Sequence, residues 1–107
     1  RSLKNLDLSS FDTSNVLYMN YMFDGCSSLT TLDLSSFDTS RVKNMSYMFW
    51  GCTNLTTIKG VIDMKSCEYC LYMFKDCHKL KGVKIKNPPA DFEKRSKLRP
   101  SQYTIVS

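Results

Sequence analysis

The sequence predicts an α/β solenoid in which each 25–26-residue copy supplies one short strand and one short helix, with a cap closing the C-terminal end. Three observations predict it. The nine letters LDLSSFDTS stand at residues 6–14 and again at 32–40. Each copy divides into a part with alternating apolar residues and a part with apolar residues every three or four positions. The pattern stops at the pair Pro88-Pro89.

The copies align over most of their length. Val16, Met19, Tyr21-Met22-Phe23 and Gly25-Cys26 recur as Val42, Met45, Tyr47-Met48-Phe49 and Gly51-Cys52, which sets a period of 26. A third copy follows at an offset of 25, with Tyr72-Met73-Phe74 and Cys77, one residue being lost around 59–61. There Ile62-Asp63 replaces Phe37-Asp38, Cys67 replaces Val42 and Cys70 replaces Met45. A fourth copy begins at Leu80.

The strand half reads Leu29-x-x-Leu32-x-Leu34, echoed by Leu3-x-x-Leu6-x-Leu8, Leu55-x-x-Ile58 and Leu80-x-x-Val83-x-Ile85. Residues two apart share a face of a strand, so Leu32 and Leu34 point to one side. The second half places Val42, Met45, Met48, Phe49 and Cys52 on a helical stripe, which predicts a short helix. Asp38-Thr39-Ser40 supplies N-cap candidates, and Gly51 suits the left-handed turn that ends a helix. No single copy buries both its Leu row and its Met-Phe row, so stacked neighbours are needed to close the core, as in leucine-rich repeats. Residues 1–86 are therefore expected to form the solenoid, about three repeats plus a final strand, and residues 87–107 the cap. Within the cap, residues 90–98 predict a short helix that turns Phe92 and Leu98 inward, and 103–106 predict an edge strand. Arg1 aligns with Ser27, so the chain is expected to start in mid-pattern, with further repeats ahead of it.

Composition excludes several classes. Apolar residues make up 42% and aromatic residues 12% of the 107, too many for a disordered tail. There is no run of 18 apolar residues, hence no membrane span. Five cysteines cannot all pair within the chain. The net charge of +5 is a gradient: residues 1–58 carry four basic and five acidic side chains, and 59–107 carry eleven and five. The basic run Lys94, Arg95, Lys97 and Arg99 admits binding of an anionic polymer or nucleic acid. However, aromatic residues are not interleaved with it as base stacking requires, so no specific nucleic-acid partner is expected.

Four recurring positions are weighed as sites. Cys26, Cys52 and Cys77 share one position on rungs about 4.8 Å apart and are read as packed thiols. Cys67-x-x-Cys70 with Cys77-His78 has a zinc-like spacing, but Cys67 and Cys70 replace core residues, so buried thiols are expected and metal binding is left open. Asp12, Asp38 and Asp63 fit hydrogen bonding within turns better than a calcium site. Tyr21, Tyr47 and Tyr72 read as a partly buried stack. For ligand binding, the outward column Asp7, Asp33, Lys59, Lys84, with Lys86 beside its basic end, is the expected contact surface on the strand face. Trp50, standing where the other copies have Asp24 and Lys75, is a candidate anchor.

The strings FDTSNV (11–16), YMF (21–23), GC (25–26), SLT (28–30) and LDLSSFDTS (32–40) resemble the BspA-like leucine-rich-repeat proteins of bacterial surfaces and the related repeats of mycoplasma surface lipoproteins. The resemblance covers about residues 1–86. It implies a solenoid, a cell-surface or extracellular setting, and binding to host or neighbouring-cell macromolecules. The third copy departs from it, lacking SSFDTS and carrying two extra cysteines. One histidine, no glycine-rich phosphate loop and no converging nucleophile and base give enzyme chemistry no support, and no cofactor is implied. The expectation is a non-enzymatic protein-binding or adhesion module; the alternatives are the anionic-polymer binder above and a purely structural end of a longer array.

Overall fold

The computed structural model describes the backbone of residues 5–6 and all of residues 13–107. Within them lie β1 (Asn5–Leu6), β2 (Thr31–Asp33), β3 (Thr57–Lys59), β4 (Val61–Asp63), β5 (Val83–Lys86), α1 (Phe92–Ser96), a 3-10 turn (Pro100–Gln102) and β6 (Tyr103–Val106). The strands form two parallel sheets of three, in the orders β1-β2-β3 and β4-β5-β6. Period-two burial holds: Leu32, Leu34, Ile58, Ile62, Val83 and Ile85 are buried, while Asp33, Lys59 and Lys84 between or beside them are exposed.

The predicted solenoid with a helix in every copy does not form. The described residues hold two small parallel sheets and one short helix, gathered into a compact body of 33 × 30 × 22 Å with a radius of gyration of 12.3 Å. Two local causes account for the difference, one in the second half of each copy and one at Gly60.

In the second half of each copy the backbone turns repeatedly instead of winding into a helix. Met48 N donates to Met45 O (3.2 Å), Trp50 N to Tyr47 O (3.3 Å) and Cys52 N to Phe49 O (3.1 Å), each closing a four-residue turn. The intervening amides point sideways. Met45, Tyr47, Phe49 and Gly51 donate to the carbonyls of Tyr69, Leu71, Met73 and Lys75 at 2.7–3.1 Å. Met19, Tyr21, Phe23 and Gly25 do the same to Asn44, Ser46, Met48 and Trp50. Tyr21, Tyr47 and Tyr72 adopt left-handed φ angles of 65°, 60° and 54°, which no continuing α-helix permits. The stripe read as helical is nevertheless the core: Val42, Met45, Met48, Phe49 and Cys52 are all fully buried. Phe23, Phe49 and Phe74 stack at 5.6 and 5.1 Å through its centre.

At Gly60 the sheet divides. Lys81 N bonds to Thr56 O, a separation of 25, whereas Val61 pairs with Lys84, a separation of 23. Two extra residues therefore lie between Thr56 and Val61, and β3 and β4 end up in different sheets. Gly60 has φ +97°, and a Cβ there would stand 2.8 Å from Ser35 N and 2.9 Å from Leu34 C. Only glycine permits so close an approach of two backbones.

The C-terminal segment continues the lateral bonding. Tyr72 N and Phe74 N donate to Arg95 O (2.8 Å) and Ser96 O (2.9 Å) of α1. Phe92 and Leu98 are buried in the same core, as the spacing of the segment predicts. Gln102, also buried, donates through Nε2 to the carbonyls of Cys77 and Leu80, both at 2.9 Å, and accepts from Arg99 N. A buried carbonyl left unpaired costs about 1–3 kcal/mol, so this one amide removes two such penalties.

Gly60→Ala is expected to lower stability by about 2–4 kcal/mol, from the strained φ together with the backbone clash. Gly82→Ala, at φ +73° with nothing within 4 Å of its Cβ, is expected to cost only about 1–2 kcal/mol. Urea titration of both variants checks the difference; equal midpoints would show that the approach to Ser35 carries no energy.

Candidate functional site

The predicted strand-face residues do not form one column. Asp7 lies outside the described residues. Asp33 and Lys59 are register partners across β2 and β3. Lys84 and Lys86 belong to the second sheet, where Lys84 stands opposite Val61 and Lys86 opposite Asp63. Asp33 already has partners, its Oδ1 accepting from Ser35 Oγ (2.6 Å) and Ser35 N (2.9 Å). These bonds, with a smaller contribution from the Lys59 ammonium, hold its carboxyl below the usual carboxylate range.

The recurring acids act within turns. Asp38 Oδ1 accepts from Ser40 Oγ (2.6 Å) and Ser40 N (3.0 Å), and the hydroxyl bond leads in lowering its pKa. Asp63 Oδ1 accepts from Lys65 N (3.0 Å) and Asn87 Nδ2 (3.2 Å). Asp12 lies outside the described residues. Beside these acids the buried threonines join successive copies, a role that their expected place in helix N-caps does not suggest. Thr13 Oγ1 accepts from Asp38 N, and Thr39 Oγ1 accepts from Asp63 N, both at 2.8 Å.

All five cysteines are buried, and none forms a disulfide. Cys52 Sγ and Cys77 Sγ donate to the carbonyls of Phe23 (3.2 Å) and Phe49 (3.1 Å). Burial pushes Cys77 up to about 12 and Cys67 up to about 11, in each case with a neighbouring cysteine adding to it. The imidazole of His78 is instead exposed, with Nε2 3.8 Å from Asp76 Oδ1. Among the described residues no three His, Cys, Asp or Glu side chains gather as metal ligands would.

The outer side of the turn segments carries more than the tyrosine stack and the Trp50 anchor expected of it. Of the eight large apolar residues exposed among those described, six lie there: Leu17, Tyr18, Tyr21, Trp50, Tyr69 and Leu71. Contacts between adjacent segments align five of their positions in two sets. Tyr18, Asn44 and Tyr69 are joined by parallel bridges. Tyr47 stacks on Tyr21 at 4.9 Å and meets Trp50 and Tyr72 edge-on at 5.5 and 5.7 Å. Trp50, the expected anchor, is thus one member of an aromatic group rather than an isolated side chain. The signal was present in the sequence, since Tyr18 and Tyr69 stand one residue before the buried Met19 and Cys70.

The basic C-terminal run is divided among roles. Arg95 holds the backbone, donating to Ala90 O (3.1 Å) and Glu68 O (2.5 Å). Lys97 places its ammonium over the Tyr72 ring. Lys94 lines a cleft with Pro88, Pro89 and Tyr103, whose hydroxyl donates to Glu93 Oε2 at 2.6 Å.

A raised thiol pKa adds stability that is complete below the unfolded value of 9.0 and is lost as pH rises through the folded value. Cys77 alone is expected to cost about 2 kcal/mol between pH 7.5, below its unfolded value of 9.0, and pH 10.5, midway from there to its folded value of about 12. Urea denaturation at the two pH values checks this, and Cys77→Ala is expected to shrink the difference.

Among the described residues no helix is long and apolar enough to cross a membrane. No curated protein and no solved structure matches the chain. The family described as "Mycoplasma protein of unknown function, DUF285" matches residues 1–87, which covers both full copies of the sequence motif, the third copy and β5. The specific likeness to BspA-type leucine-rich repeats gives way to this broader assignment: the chain belongs to the mycoplasma family DUF285.

Proposed function

We propose that this chain is a non-enzymatic binding module of a mycoplasma surface protein, and that it grips a partner protein through the aromatic outer side of its turn segments. The observation that carries this reading is the grouping of Leu17, Tyr18, Tyr21, Trp50, Tyr69 and Leu71 on the solvent side of three adjacent turn segments. Tyr and Trp are the residue types that most often dominate protein interfaces, because each buries a large rigid area at small entropic cost. So many large apolar side chains exposed on adjacent segments mark a surface of the kind that partners cover. The tyrosines here are held by stacking and by lateral backbone bonds, so little further ordering is needed on binding.

The strand face is a weaker candidate for the contact. Its acidic member Asp33 is occupied by Ser35, and its basic members are distributed over two sheets. The mycoplasma family and the repeated motif support display at a cell surface.

The experiment is adherence of the fluorescently labelled chain to cultured host cells, before and after the cells are treated with trypsin. Adherence is expected to be saturable, abolished by trypsin and reduced about tenfold or more in Tyr18→Ala with Tyr69→Ala. Lys59→Glu with Lys84→Glu is expected to leave it nearly unchanged. The opposite pattern would move the contact to the strand face, and no saturable adherence would overturn the reading.

A further inference from the structure

At the end of the tyrosine group the surface changes from apolar to strongly basic. A cleft of about 260 Å³ opens between the turn residues Phe74–His78 and the residues that follow α1, and Lys75, His78, Lys97 and Arg99 line it. These side chains come from two separate stretches of chain, so their convergence is made by the fold and is not a run in the sequence.

The ring of Tyr72 fixes two of the cations. Lys75 Nζ stands 4.7 Å and Lys97 Nζ 5.7 Å from the centroid of that one ring. A tyrosine face attracts an ammonium, but it carries no net charge and does not neutralise one. Two like charges are therefore held at one ring and line one cavity, with Arg99 lining it as well. The one carboxylate lining the cleft is Asp76, which lies beside His78. Among the described residues no acid forms an ion pair with Lys75, Lys97 or Arg99. Below the cations the floor is rigid, because Gln102 is buried and tied to the Cys77 and Leu80 carbonyls.

We propose that the cleft lined by Lys75, His78, Lys97 and Arg99 binds a phosphate or sulfate monoester. A tetrahedral dianion supplies the charge that the cluster lacks, and its several oxygens accept from ammonium and guanidinium donors arriving from different directions. Arg99 contributes the planar fork that engages two oxygens at once, while the two lysines act as point charges set by Tyr72. The open cleft leaves room for the organic group that carries the ester. Of the aromatic group only Tyr72 takes part in it, and none of the residues that carry the adherence proposed above, so this site stands or fails independently of that reading.

The test is amide chemical-shift mapping of the full chain titrated with inorganic phosphate and with inorganic sulfate, sodium chloride at matched ionic strength being the control. Saturable shifts confined to residues 75–78 and 97–99 are expected, with none from chloride. Arg99→Ala and Lys75→Gln, checked for folding by circular dichroism, are each expected to weaken binding about tenfold. Lys84→Gln with Lys86→Gln is expected to leave it unchanged. Sedimentation with phosphatidylcholine vesicles, with and without phosphatidic acid, separates the sources. Selective pelleting with phosphatidic acid assigns the site to a lipid headgroup, and free-ion binding without pelleting assigns it to a soluble or glycan-borne ester. Shifts spread over all basic residues, an equal loss in the Lys84/Lys86 variant, or no saturation would overturn the proposal.

Discussion

The structure depends on lateral hydrogen bonds between residues one sequence period apart. Every second amide of the turn segments leaves its own segment and donates to the neighbouring one, and the strands pair in the same direction. An isolated turn segment would leave those amides unpaired, and each unpaired buried amide costs as much as a hydrogen bond or more. The segments therefore form together, and the side chains follow the backbone: phenylalanine lies on phenylalanine, tyrosine on tyrosine, and cysteine beneath the carbonyl of the adjacent copy. The left-handed tyrosines belong to the same constraint. Their conformation costs about 1–2 kcal/mol each, and it is what aims the flanking amides sideways.

Which side chains are inside was legible in the sequence, whereas the backbone path of the second half was not. Apolar residues three apart mark one face of a helix, but the bonds that close successive four-residue turns also join residues three apart. Val42, Met45, Met48 and Cys52 therefore satisfy both. Tyr47 is what separates the two readings, and a positive φ at a tyrosine leaves no mark in composition or spacing. The strands were legible because alternation has no competitor at that period. The short C-terminal helix and the edge strand were legible because Pro88-Pro89 marks their start. The division into two sheets was visible only as the residue lost around 59–61. Its cause, the contact of Gly60 with Ser35, joins positions 25 apart and needs coordinates to be seen.

The surface divides in the same way. The acid-to-base order of Asp33, Lys59, Lys84 and Lys86 is real in the sequence, but it presumed one uninterrupted sheet. The exposed apolar residues were under-read because only Tyr18 and Tyr69 among the additional ones share a repeat position, and Asn44 interrupts it between them. Leu17, Trp50 and Leu71 each stand where the other copies have polar or charged residues. The cationic cleft is harder still to foresee, since Lys75 and Arg99 approach only because α1 docks on the third turn segment.

The buried thiols have a consequence for where such a chain can be made and used. Small domains that work outside a cell commonly depend on disulfides, and so acquire their strength only after export. Here the sulfurs serve as core volume, those of Cys52 and Cys77 donate weakly to carbonyls, and burial keeps the Cys67 and Cys77 thiols protonated at neutral pH. A protonated, enclosed thiol is neither a nucleophile nor an easy target for peroxide. The described core accordingly does not wait on disulfide formation for its strength, whether it folds in a reducing or an oxidising medium.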